Sequence, residues 1–275
     1  MLGAAGHLAV FAACYVAAQT LMVSLLVGQG VCWRAIMIAL LTALGTYLVD
    51  RSGPWPGHPD RGDLRAHPKR VRFLRRHAPC VRVTAVTALT AAFLLAVPWG
   101  LVATVVPLSV IGLLCYARWA LPGRRLKDRL WIKNPAVAAS ITMLAVALAF
   151  AHGQEVATST ALIAAGVVLL RVWADAMRCD IDDAESDARQ GTRTIANVLG
   201  PEAVWRGAIS LDTLAAALAL LTAGALGWPV AIALAMVPLA MSIVLTVYRP
   251  TPIRDLVDAT GALSVLIAWL LASGF

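Results

Sequence analysis

Charge is scarce in this chain. Only 14% of its 275 residues are Asp, Glu, Lys or Arg against 60% apolar residues, and its mean hydropathy is +0.78, whereas ordinary soluble domains are roughly 45–50% apolar. Apolar runs near the ~20 residues that cross a bilayer recur along the whole length, so no stretch remains for a soluble domain. Paired cysteines are also missing. Cys14, Cys32, Cys80, Cys115 and Cys179 show no CxxC spacing and an odd count, which excludes a disulfide framework or a zinc site and leaves five free thiols. No Lys or Arg precedes the first apolar segment, and that segment is too long for a signal-peptide core, so it reads as a retained span. No dyad alternation marks a β-barrel, and lipid cannot satisfy open backbone groups, so the spans are helices. His7, His58, His67, His77 and His152 have no metal spacing and read as loop or interfacial residues.

What is present is a series of nine candidate spans, at 5–27, 32–49, 80–97, 100–118, 134–151, 158–178, 203–224, 228–247 and 255–274. The predicted fold class is an all-α integral membrane bundle forming one domain over residues 1–275. Connections after the second, fourth, sixth and eighth spans are long or charged; those after the first, third, fifth and seventh are short and nearly neutral. Of 23 Lys and Arg, only Arg34 falls by a short connection. Cationic loops of this kind set orientation, which predicts the long connections and the N-terminus inside, the C-terminus outside, and one chemical face toward the cytoplasm. The formal net charge of +8 therefore points to orientation and phosphate-bearing ligands, not to nucleic acid.

One polar stretch interrupts the pattern. DIDDAESDARQGTRTIANVLG, residues 180–200, has five carboxylates in its first eight positions. Asp180, Asp183 and Asp187 are spaced i, i+3, i+7, which stacks them on one side of a helix continuing from the sixth span. Like charges so placed repel unless they share a cation, and hard oxygen donors in a row suit Mg²⁺, which binds one or two carboxylates plus substrate phosphates. Asp182 and Glu185 point off that side. Arg189, Gly191 and Arg193 follow, and guanidinium groups beside a metal describe a diphosphate site. A solvated acidic loop at the membrane surface is the alternative reading of the same residues.

The pattern D-x-x-D-x-x-x-D followed by R-x-G-T-R-T and a short run ending in L-G resembles the second aspartate-rich motif of the UbiA-type intramembrane prenyltransferases. That resemblance implies nine helices, a cytoplasm-facing site, and Mg²⁺ holding an isoprenyl diphosphate. A second stretch, CYARWALPGRRLKDRLWIKN, resembles the family's tyrosine and basic-residue connection ahead of K-N. By that likeness Tyr116 and Lys127 are candidate catalytic residues, and Arg124, Lys127 and Lys133, joined by Arg193, are candidates for holding the diphosphate. For Arg124, Arg125 and Lys127, plain orientation and headgroup contact is the competing account. The family's first motif, N-D-x-x-D-x-x-x-D, has its counterpart in TYLVDRSGP. There Thr46, Tyr47 and Pro54 stand where Asn and two Asp are expected, and only Asp50 remains. Asp50 is thus a candidate metal ligand and catalytic residue beside Asp180, Asp183 and Asp187. The basic residues farther along, Arg70 among them, loosely resemble the stretch that follows the motif and make Arg70 a candidate diphosphate contact. Asp60 and Asp63 are candidate replacement ligands, though flanking Pro and Gly favour solvated loop charges.

The resemblance implies transfer of an isoprenyl group from an allylic diphosphate to a lipophilic acceptor, an aromatic one included, in the cytoplasmic membrane of a bacterium. A terpene cyclase of the same type and a non-catalytic lipid-binding protein are the rival readings. Inside the spans, Arg171 and Asp175 are expected to pair at i, i+4, Asp212 has no evident partner, and Asp255 and Asp258 beside Arg254 fit helix-start stabilisation. Gly45, Gly112 and Gly166 are expected at close helix contacts, and Trp99, Trp228 and Trp269 in an aromatic belt.

Overall fold

A computed structural model describes residues 6–52, 67–118, 120–121, 124–151 and 155–274. Asp60 and Asp63, weighed above as replacement ligands, lie outside the described residues. Among those described, long helices fall on the expected spans: α1 (Val10–Leu26), α2 (Trp33–Ser52), α4 (Ala78–Ala96), α5 (Val105–Arg118), α6 (Lys133–Phe150), α7 (Thr158–Gln190), α9 (Pro201–Leu220), α11 (Trp228–Tyr248) and α12 (Arg254–Ala272). By length and hydropathy seven stretches can cross a membrane, with α4 and α5 forming one apolar run over Ala78–Tyr116 and α1 a shorter apolar helix. Shorter helices sit in the connections: α3 (Pro68–Arg76), α8 (Ile195–Val198) and α10 (Ala223–Leu226), with a two-residue antiparallel ladder pairing Ala120–Leu121 and Arg124–Arg125.

Apolar composition makes these segments helical, and local chemistry sets their limits. Proline opens α3, α4, α9 and α11 within their first two positions, where its missing N–H has no intrahelical partner to lose. Between α4 and α5, Gly100 takes φ 62°, ψ −121° inside a 3₁₀ connection. An L side chain is disfavoured there, so glycine breaks one long apolar run into two spans. Gly191, at φ 77°, ends α7 in the left-handed region.

The long helices close into a ring. Each of α1, α2, α4, α5, α6, α7, α9, α11 and α12 packs on the next, α12 returns to α1, and α1 also touches α6 and α7. The interior is lined by small side chains such as Ala39, Ala92, Ala145, Ala164, Ala219 and Ala268, while Leu94, Leu162, Leu221 and Val247 point outward. Lipid tails are as apolar as leucine, so close packing of small residues holds the bundle together. Gly45 is such a contact, since a Cβ there would lie 2.5 Å from Leu89 and 3.0 Å from the Ala85 carbonyl. Gly166 faces Leu218, but Gly112 has open space around it; the close-packing expectation fails at that position because its side of α5 meets no other helix.

The two ends of the ring differ. At the short-connection end, Trp33 meets Trp269 edge-to-face at 6.0 Å and Arg34 stacks over Trp99 at 5.1 Å, as an interfacial aromatic belt requires. At the other end, described residues of the long connections are tied to α7 and to one another by polar side chains. All five cysteines are free.

Candidate active site

The site is built on the extension of α7, which runs twelve residues past the expected end of its span and carries the carboxylates. Asp180 and Asp187, two turns apart, face the start of α6. The Lys133 ammonium sits 2.8 Å from Asp180 Oδ1 and 2.8 Å from Asp187 Oδ2. Asp180 is buried, and its Oδ2 has no hydrogen-bond partner. Asp183, rotated away on the helix surface, points to α3 and α12. His67 Nε2 lies 2.8 Å from its Oδ1, and the Arg254 guanidinium donates to its Oδ2. The three aspartates thus share a side of α7 but divide their partners, and among the described residues no three His, Cys, Asp or Glu side chains converge as a metal cluster.

Other predicted residues surround the pair. Tyr116, in the last turn of α5, directs its hydroxyl toward the Lys133 carbonyl at 3.4 Å and lies within electrostatic reach of Asp180, Asp50, Asp187 and Asp128. Asp50 is half-buried near the end of α2, and Lys127 is half-buried in the turn before α6. Arg70 is buried on the inner side of α3. Arg124 pairs with Leu121 through its main chain, and its side chain lies outside the described residues. Arg193 is exposed, and what binds the site end is its backbone N–H, donating to the Asp128 carbonyl at 3.1 Å.

The R-x-G-T-R-T stretch does structural work. Thr192 donates to buried Asp128 at 2.7 Å, and Thr194 with Asn197 forms a capping box on α8. Asp182, off the shared side as expected, accepts the backbone N–H groups of Ile253 and Arg254 at 2.8 and 3.0 Å and so caps α12. Glu185 is exposed and pairs with Arg189. Sequence reasoning missed His67, Arg254 and Asp128. Arg254 stands beside Asp255 and Asp258 in sequence, but its guanidinium reaches Asp183, a partner 71 residues away that sequence proximity does not reveal.

A second polar cluster lies deeper in the bundle and corrects an expectation. Asp175 pairs with Arg178, not Arg171, at 2.8 Å, and accepts the Tyr15 hydroxyl at 2.7 Å. Arg178 also reaches Asp212 at 2.7 Å and Ser242 at 2.6 Å, supplying the partner Asp212 lacked. Arg171 turns to Ser264 at 3.2 Å. The i, i+3 pairing wins because it brings Arg178 between two carboxylates, and it joins α1, α7, α9 and α11 through one fully buried guanidinium.

A ring of nine apolar helices with a charged site at one end defines a multi-pass integral membrane protein. The family model described as the UbiA prenyltransferase family matches residues 79–259, and the chain belongs to that family. No protein with a curated description matches. Among solved structures, the fold is similar to the apo structure of a UbiA homolog from Aeropyrum pernix K1, with TM-score 0.66 and 12% identity over 95% of this chain and 97% of that one. It is also similar to a UbiA homolog from Archaeoglobus fulgidus bound to DMAPP and Mg²⁺, with TM-score 0.58 and 12% identity over 98% and 99% of the two chains. A third likeness is to a digeranylgeranylglyceryl phosphate synthase, with TM-score 0.55 and 13% identity over 99% and 96%.

Proposed function

We propose that this protein is a Mg²⁺-dependent intramembrane prenyltransferase that takes an allylic isoprenyl diphosphate as donor and passes the isoprenyl group to a lipophilic acceptor. The observation that carries the reading is the pairing of Asp180 and Asp187 across one half-buried cation, Lys133, with Tyr116 and Asp50 grouped around them. Family membership and the DMAPP- and Mg²⁺-bound structural relative support it.

The donor set fits a hard divalent cation. Two carboxylates already share a positive charge, and Asp180 offers a buried oxygen with no partner, which costs free energy in an apolar setting unless a cation or donor meets it. Asp180, Asp187 and Asp50 would hold Mg²⁺, joined by Asp183 on release from His67 and Arg254, and the ion would supply charge neutralisation at the diphosphate leaving group. Lys133 has three donors and spends two on carboxylates, leaving one for a phosphate oxygen. Lys127 and Arg70 add positive charge on the same side, and the low dielectric of the bundle strengthens each interaction. Tyr116, whose hydroxyl points to the Lys133 carbonyl, would face the allylic carbon as it separates from the diphosphate, and the alanine-lined interior would exclude the water that captures the cation. We place this end of the bundle on the cytoplasmic side of a bacterial cytoplasmic membrane, following the basic connections.

The test is to incubate purified protein with Mg²⁺ and allylic diphosphates of several lengths, with and without candidate acceptors, and to analyse products by mass. Mg²⁺-dependent diphosphate release with a prenylated acceptor is expected. Prenyl products formed equally well without acceptor would make the protein a cyclase, and no release from any donor would end the enzymatic reading.

A further inference from the structure

Helix α3 has two unlike sides. Its sequence, PKRVRFLRR, contains no acidic residue, and Arg70, Val71 and Leu74 are buried while Lys69, Arg72, Arg75 and Arg76 are exposed. The inner side is anchored, with Leu74 packing in a cluster with Leu48, Val81 and Ala85. The outer cationic row runs on into α4, which is separated from α3 by His77 alone, and there Arg82 is exposed beside Val83 and Val86. Those two valines, 64% and 63% exposed, belong to the lipid-facing surface of a membrane span. Among the described residues, no carboxylate pairs with any of these five cations. The preceding segment 53–66 holds Asp60 and Asp63 but equally Arg61 and Arg65, so it brings no net negative charge to them.

Five cations gathered where a helix enters the hydrocarbon repel one another, and an extended anionic surface offsets that repulsion. We propose that the outer side of α3, together with Arg82, is a binding surface for the phosphodiester headgroups of anionic phospholipids in the leaflet at the site end of the bundle. Lipid is the occupant because Arg82 lies past the first turn of α4 among lipid-facing residues. A headgroup phosphate is available to it there by snorkelling, whereas a soluble anion is not. Four of the five cations are arginines, whose guanidinium fork matches phosphate oxygens bidentately. The surface is also connected to the site, since His67, at the N-cap of α3, lies 2.8 Å from Asp183. Lipid held on the outer side therefore steadies a helix whose first residues reach the aspartates.

The experiment measures lipid association directly and so is independent of catalysis. The full chain is reconstituted in phosphatidylcholine vesicles containing spin-labelled phosphatidylglycerol or spin-labelled phosphatidylcholine, and the motionally restricted fraction gives the relative association constant. Wild type is expected to prefer phosphatidylglycerol at low salt, and the preference should shrink in 0.5 M salt, where the Debye length falls to a few ångströms. Arg72→Gln, Arg75→Gln and Arg76→Gln should each lower the site's preference about fivefold, the corresponding Arg→Lys variants should keep most of it, and Arg206→Gln, on the exposed side of α9, should leave it unchanged. No preference in wild type, or a triple Gln variant that keeps it, would overturn the proposal. So would selective binding of a short RNA or an acidic peptide to this row with no lipid preference.

Discussion

At the scale of single residues, charge inside this bundle is spent in two places that answer differently to mutation. Arg178 is fully buried and holds Asp175 and Asp212 at once. Removing one partner of a buried ion pair costs roughly 3–5 kcal/mol because the other charges stay behind uncompensated. Arg178→Met is therefore expected to lower thermal stability in detergent by an amount of that order, and the triple variant Arg178→Met, Asp175→Asn, Asp212→Asn to recover much of it; equal instability of both proteins would show that charge balance is not the cause. The α7 aspartates should behave otherwise. Asp180→Asn and Asp187→Asn are expected to reduce diphosphate release on the order of a hundredfold or more with little effect on folding. Asp182→Asn keeps an oxygen that can accept from Ile253 and Arg254, so it should cost roughly 1 kcal/mol of stability and spare most activity. Parallel measurement of release and thermal midpoint separates the two classes.

At the scale of elements, the ring depends on close helix approaches that leave no room for side chains. A Cβ at Gly45 would overlap Leu89 and press on the α4 backbone, so Gly45→Leu should force α2 and α4 apart and destabilise the protein by roughly 1–3 kcal/mol. Gly112→Leu, in open space on α5, should change the midpoint little, and a reversal of that order would show that the α2–α4 contact is not the tight one. The connections have their own logic. Thr192 on Asp128, Asp182 on the start of α12, and His67 and Arg254 on Asp183 stitch the end of α7 to the connections after α2, α5 and α11. This explains why α7 can project beyond the apolar slab as a helix carrying five carboxylates: its outer turns are held by side chains from three other elements.

At the scale of the whole molecule, the gathering of long connections at one end matches the basic asymmetry of the sequence. Topology reporters placed near Arg72, Arg193 and Arg249 should all register cytoplasm, while reporters near Ala157 and Ser273 should register the opposite side. A cytoplasmic signal at Ser273, or an outer signal at Arg193, would remove the proposed orientation of the site, because both follow from the same loop charges.

The nine spans, their alternation of short and basic connections, and the three aspartates on one side of a helix could all be read from the chain alone. These features depend on local composition and on the fixed period of the α-helix, which operate within a few turns. Partner choice could not be read. The i, i+4 spacing of Arg171 and Asp175 suggested a pair, yet the tertiary structure gave Asp175 to Arg178 and Tyr15 and sent Arg171 to Ser264. In the same way it sent Arg254 and His67 to Asp183, set Lys133 between Asp180 and Asp187, and left Arg193 facing outward. A buried charge takes whichever opposite charge the packing of distant helices delivers within hydrogen-bond range, and that delivery depends on the rotation of each helix about its axis, which hydropathy does not encode.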